Sequence, residues 1–163
     1  MIGAPHQGDR YILTIDQGSS SLKTAVYQVC NDREHCLLDG GIERLGTPDA
    51  VLRLGSRAQV TSSILGDVTP IAALLAMLRE QRVHIDGIGH RLVYGGLTHE
   101  LPARVTADLL TSLDALVPVD PLHLPSALVA IRQIEAALPK VPQVVCFVSV
   151  ALTPSCVAHL ILG

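Results

Sequence analysis

Tryptophan is absent from this 163-residue chain, which has one phenylalanine and three tyrosines. Its 48% apolar content comes almost wholly from Val, Ile, Leu and Ala. An aliphatic core of this kind suits an α/β layer structure, whose buried parallel strands read as aliphatic runs. The length suits a single domain able to bury a sizeable core. No long basic block occurs and the formal charge is −3, so nucleic-acid backbone binding is unsupported. Cys30, Cys36, Cys146 and Cys156 form no CxxC pair. That excludes a visible bridge framework or structural zinc site and makes reduced thiols the expectation. The seven histidines show no HExxH spacing, and no GxSxG nucleophile elbow is present. The opening MIGAPHQGDR lacks the basic start and apolar core of a signal peptide. The run from Val144 to Leu152 is too short to span a bilayer. These absences together predict a soluble, cytoplasmic protein with no membrane partner.

What is present is an ordered set of elements. Tyr11–Asp16 and Leu22–Val29 read as strands joined by a Gly/Ser turn, an antiparallel hairpin. Cys36–Arg44 reads as a third strand, and residues 47–68 as loop with at most one short strand. Thr69-Pro70 starts a helix to about Arg82, with a hydroxyl N-cap and proline in the first turn. Ile85–Val93 is a buried strand running into a Gly-Gly loop. Thr106 caps a second helix to Leu116, and "VPVDPLHLPS" is a proline-punctuated loop. A third helix spans Ser126–Leu138 and a last strand Val141–Val150. The order β-β-β-α-β-α-α-β predicts an α/β domain: a mixed five-stranded sheet begun by antiparallel strands and flanked by helices. Residues 1–10 are expected to be a disordered tail, 11–150 the domain and 151–163 a divergent tail.

Three segments carry chemistry. In "ILTIDQGSSSLK", backbone N–H groups and hydroxyls around Gly18, Ser19 and Ser21 can converge on an anion. Lys23 can neutralise a phosphoryl group, and Asp16 can orient hydrated Mg2+, a hard cation that prefers oxygen ligands. The Walker A spacing is missing, and a plain serine-rich turn is the competing reading. In "GHRLVYGG", Arg91 beside glycines can bind a carboxylate or phosphate bidentately, or can pair with a nearby carboxylate. His90 can donate to the same anion or satisfy backbone groups. In "DPLHLPSA", His123 stands between prolines, in a site or in a helix-capping loop.

In this order, the three segments resemble the acetate kinases, the acetokinase family of short-chain carboxylate kinases. The family's Asn-x-Gly-Ser-Ser-Ser-Leu-Lys is matched by Asp16 to Lys23. Its Gly-His-Arg-x-Val-His-Gly-Gly is matched by Gly89 to Gly96, with Tyr94 for the second His. Its Pro-Leu-His-Asn-Pro is matched by Pro121 to Pro125, with Leu124 for Asn. The likeness covers roughly Tyr11 to Phe147. It implies the first domain of the ribonuclease H-like, actin-like ATPase architecture. It also implies transfer of the ATP γ-phosphoryl group to acetate or another short carboxylate, giving an acyl phosphate and ADP, with Mg2+. Arg91, His123 and His90 would then bind substrate, Gly18, Ser19, Ser21 and Lys23 the phosphates, and Asp16 the magnesium.

The chain departs from the family in three places. Asp16 replaces Asn, a tolerable exchange at a magnesium-bound water. Val148 stands where the family's catalytic aspartate follows Phe147, and 137–163 contains no carboxylate side chain. Family members are more than twice as long, and their second domain carries most of the nucleotide site. The chain alone is therefore expected to be inactive or very weak. An exposed interdomain face is expected to favour self-association or a completing second chain.

Overall fold

The computed structural model describes residues 8–31, 33–55, 57–60, 69–147 and 153–162. Residues 1–7 of the expected tail, and Val148, lie outside the described residues. The first three strands are β1 (Arg10–Gln17), β2 (Ser21–Cys30) and β3 (Arg33–Glu43). They form an antiparallel meander in which Asp16 faces Lys23 and Lys23 faces Gly41. Two further strands, β4 (Val51–Leu54) and β5 (Arg57–Val60), extend it. Helix α1 (Pro70–Glu80) then leads to β6 (Gly87–Leu92), parallel to β1, with Asp16 opposite Arg91. After β7 (Ala103–Arg104), helices α2 (Ala107–Asp114) and α3 (Leu124–Ala137) lead to β8 (Gln143–Phe147), parallel to β6. The chain's last described element is helix α4 (Pro154–Leu162).

The sheet runs β5-β4-β3-β2-β1-β6-β8-β7. It therefore has eight strands, a correction to the expected five. The five central strands, β3-β2-β1-β6-β8, are those the sequence pattern predicted. The additions are short: β4 and β5 have four residues each and β7 two, too few for alternation to register. A turn at Gly55, whose φ of 58° is in the left-handed region, joins β4 to β5. Helix α3 begins at Leu124, two residues before the expected Ser126. Pro125 fits its first turn because no intrahelical N–H bond is required there.

Alternation along the strands sorts side chains to two faces. Leu13, Ile15, Leu22, Val26 and Ile88 pack with α1 and α3. Leu92, Val145 and Phe147 continue that face under α2 and α3. Ile12, Val29, Val144 and Cys146 point the other way, against Val157 and Ala158 of α4. The region expected as a divergent tail thus contributes a helix packed on the sheet. Its Cys156 interacts with Cys146 of β8, and its Ile161 approaches Gly87 at the start of β6.

Candidate functional site

Parallel strands β1 and β6 end together, and the register places two site residues side by side there. Arg91 Nη1 donates to Asp16 Oδ2 at 3.0 Å, with the side chains 46% and 34% exposed. Lys23, exposed on β2, is the cross-strand neighbour of Asp16 on its other side. The same face therefore presents the row Lys23–Asp16–Arg91 across three adjacent strands spaced roughly 4.8 Å apart. One aspartate between two cations leaves a net positive charge. A guanidinium has five N–H donors, so pairing with Asp16 leaves Arg91 able to hold a second anion. Arg91 thus pairs with a nearby carboxylate, one of the two readings its position allowed, and a half-exposed pair of this kind adds little to stability.

The hairpin beside this row is short. Gly18 N–H donates to Ser21 O at 2.8 Å and closes the turn, and Leu45 N–H donates to Ser20 O at 2.9 Å. Ser19 and Ser20 are exposed. Gly18 is not among the residues with positive φ, and a Cβ built on it meets nothing nearer than 3.4 Å. Glycine is thus not required by the turn itself. Its bare backbone leaves room for something approaching from outside.

His90 lies apart from these groups. It is buried, 2% exposed, on the α3 side of the sheet, and its Nε2 is 2.7 Å from Gln143 Oε1. Gln143 in turn donates to Ile131 O of α3 at 3.3 Å. Burial lowers the His90 pKa to about 4, with the Gln143 hydrogen bond a smaller opposing influence, so the ring is neutral at pH 7. His90 thus ties β6, β8 and α3 together and is not brought to the face of Arg91. On that face Cys146 of β8 neighbours Arg91. Burial pushes its thiol up to about 12, aided by Cys156, and that excludes a thiolate nucleophile beside Arg91.

His123 is the N-cap residue of α3 and takes Asp120 as its partner, Nδ1 to Oδ1 at 2.8 Å. The start of α3 reaches the same end of the sheet as the hairpin. Gln17, Thr69, Pro70, Pro125 and Ser126 line one cavity of about 300 Å³. Two features were not read from the sequence. Asp120 was passed over beside a more conspicuous histidine. Arg53, opposite Gly41 on β4, falls in a segment read as loop. A groove of about 300 Å³ beside the hairpin is lined by Ser21, Lys23, Gly41 and Arg53 together with the carboxylates Asp39 and Glu43, so its charges balance.

The residues present fit a magnesium site only in part. Among the described residues no group of three metal-ligating side chains exists. Magnesium retains waters and takes one or two carboxylates plus phosphate oxygens, and half-exposed Asp16 is suited to be one such carboxylate.

Residues 11–153 match the model of the acetokinase family. The acetate kinase of Deinococcus radiodurans is 37% identical over 142 residues, which cover 84% of this chain and 35% of that protein. Among solved structures, a propionate kinase from Francisella tularensis superposes with a TM-score of 0.70 at 26% identity, covering 85% of this chain and 36% of that one. Porphyromonas gingivalis acetate kinase gives a TM-score of 0.67 at 27% identity, with 85% and 37% covered. The chain thus spans about a third of the length of the relatives it matches.

Proposed function

The chain belongs to the acetokinase family, and from that premise we propose that it carries the substrate-side half of a carboxylate phosphotransferase site. The reaction is transfer of the ATP γ-phosphoryl group to acetate or another short-chain carboxylate, giving an acyl phosphate and ADP. The observation that supports this most is the row Lys23–Asp16–Arg91 at the carboxyl ends of two parallel strands, where open α/β sheets bind ligands. Arg91 holds the carboxylate or the phosphoryl oxygens, and Lys23 neutralises the transferring group. Ser19, Ser21 and the uncrowded Gly18 backbone receive phosphate from the hairpin side. His123 lines the cleft from the start of α3, and His90 supports the cleft through Gln143. Bound Mg2+ supplies charge neutralisation on the ATP phosphates, with Asp16 as its carboxylate. Positioning and charge neutralisation contribute most of the acceleration in such transfers.

A second reading is favoured by one specific feature. Val148 occupies the position of the family's aspartate, and valine can neither accept a proton nor orient an oxygen ligand. On this reading the chain binds substrate and turns it over weakly or not at all unless completed by another polypeptide. Exposed Leu97, Leu101, Val119 and Leu122 on the loops beside the site support such an apolar contact. A hydroxamate assay with ATP, Mg2+ and acetate separates the two. The weak-turnover reading expects background signal, raised by Val148→Asp together with a family second domain. Robust turnover by the unaltered chain, abolished in Arg91→Ala, would establish the first reading and overturn the second.

A further inference from the structure

His123 is held at more points than a helix cap requires. Its backbone N–H donates to Asp120 Oδ1 at 3.3 Å, and its ring Nδ1 lies 2.8 Å from the same oxygen. Its carbonyl accepts from Ser126 Oγ at 2.9 Å and from Ala127 N–H at 3.3 Å. Pro121 and Pro125 restrict the chain on either side. Asp120 is 14% exposed at its side chain, and its Oδ2 is buried without a hydrogen-bond partner among the described residues. Leaving an ionised oxygen unsatisfied is costly, and a serine or threonine would cap the helix without that cost. Capping alone therefore does not account for a carboxylate at position 120.

An ionised carboxylate only accepts, so a neutral His123 ring facing it must carry its proton on Nδ1. Nε2 is then the ring atom left to meet a ligand, on a side chain still 45% exposed. We propose that Asp120 is a positioning residue for His123: it fixes the Nδ1–H tautomer and aims Nε2 into the cleft at the carboxyl end of the sheet. The consequence for substrate rests on the phosphotransferase reading above. Neutral Nε2 presents a lone pair towards the acyl group, and His123 donates to a carboxylate or phosphoryl oxygen only as the imidazolium. Specificity for an anion thus comes chiefly from Arg91 and Lys23, with His123 setting orientation.

The test is nitrogen-15 NMR of the histidine-labelled full chain, at a pH where exposed histidines are neutral. The expected result is His123 with Nδ1 protonated and Nε2 bare. Asp120→Ala should move the neutral ring predominantly to the Nε2–H form that isolated imidazoles favour. Asp120→Ser retains an acceptor for the helix N-terminus but cannot fix the ring, so it should give the same tautomer change with an unchanged backbone amide spectrum. A His123 ring already in the Nε2–H form, or one unmoved in Asp120→Ser, overturns the assignment. Acetyl phosphate is then titrated into the unaltered chain. A perturbed His123 Nε2 resonance supports the cleft placement. No perturbation of Nε2 overturns its aim into the cleft; if backbone amides of the Lys23–Asp16–Arg91 row still shift, the phosphotransferase reading stands, and if nothing shifts, that reading fails as well.

Discussion

Gly18 offers a clean separation of folding from binding at the scale of one residue. Its φ is not positive and an added Cβ meets only ordinary contacts, so Gly18→Ala should change unfolding free energy by less than about 0.5 kcal/mol. The same methyl group should weaken acetyl phosphate binding severalfold, because it fills the space the phosphate needs. Chemical denaturation and a binding isotherm on one sample check both halves. His90 yields a pH dependence with a definite sign. Its pKa in the folded chain is about 4 against 6.5 for an ordinary histidine, so the unfolded state binds the extra proton between those values. Stability is therefore full above pH 6.5 and falls as the pH drops towards 4, by on the order of 3 kcal/mol in total. His90→Asn should remove this contribution, which denaturant titrations at pH 7.5 and 4.5 would reveal. The place of Arg91 at the end of a buried strand was legible in the sequence, and the structure gives it Asp16 as a partner there. His90 was misplaced because adjacent residues of a strand point to opposite faces, which a motif string does not display.

Among elements, the ones visible in the sequence were those with enough length to show a period or a cap. The hydroxyl of Thr69 accepts from Ala72 N–H at 3.2 Å, and that of Thr106 accepts from Leu109 N–H at 3.2 Å, as the N-cap reading requires. Thr106→Ala should cost about 1 kcal/mol of stability by denaturant unfolding, without altering ligand affinity. Leu113, fully buried between α2 and the sheet, should cost about 2–5 kcal/mol when cut to alanine. One short strand was expected within residues 47–68, where two are found, and β7 was not expected at all, for a physical reason. All three are short, and for β4 the partner positions Gly40 and Gly41 on β3 carry no side chains, so that pairing is specified by close backbone approach rather than by alternation. A Cβ on Gly40 would lie 2.1 Å from Arg53 O. Helix α4 lies in the segment expected as a divergent tail. In the structure Val157 and Ala158 are buried against Ile12 and Val144.

At the level of the whole molecule, the central strands run β3-β2-β1-β6-β8, and the parallel pairing of β1 with β6 brings Asp16 and Arg91 together at their carboxyl ends. What the sequence could not display is the row itself, because Lys23, Asp16 and Arg91 become neighbours only through strand register. The exposed leucines beside those ends lead to a further expectation. Sedimentation velocity should show concentration-dependent association, reduced by Leu97→Glu with Leu122→Glu; ideal monomer behaviour at all concentrations would remove the apolar-contact argument. The proposed anion site is tested most directly by calorimetric titration of acetyl phosphate into the chain at low ionic strength, alongside Arg91→Ala. Saturable binding is expected, at least about tenfold weaker in Arg91→Ala, the size of loss typical for a charge-assisted hydrogen bond. Absence of saturable binding to the unaltered chain, or equal binding by both proteins, would contradict that site.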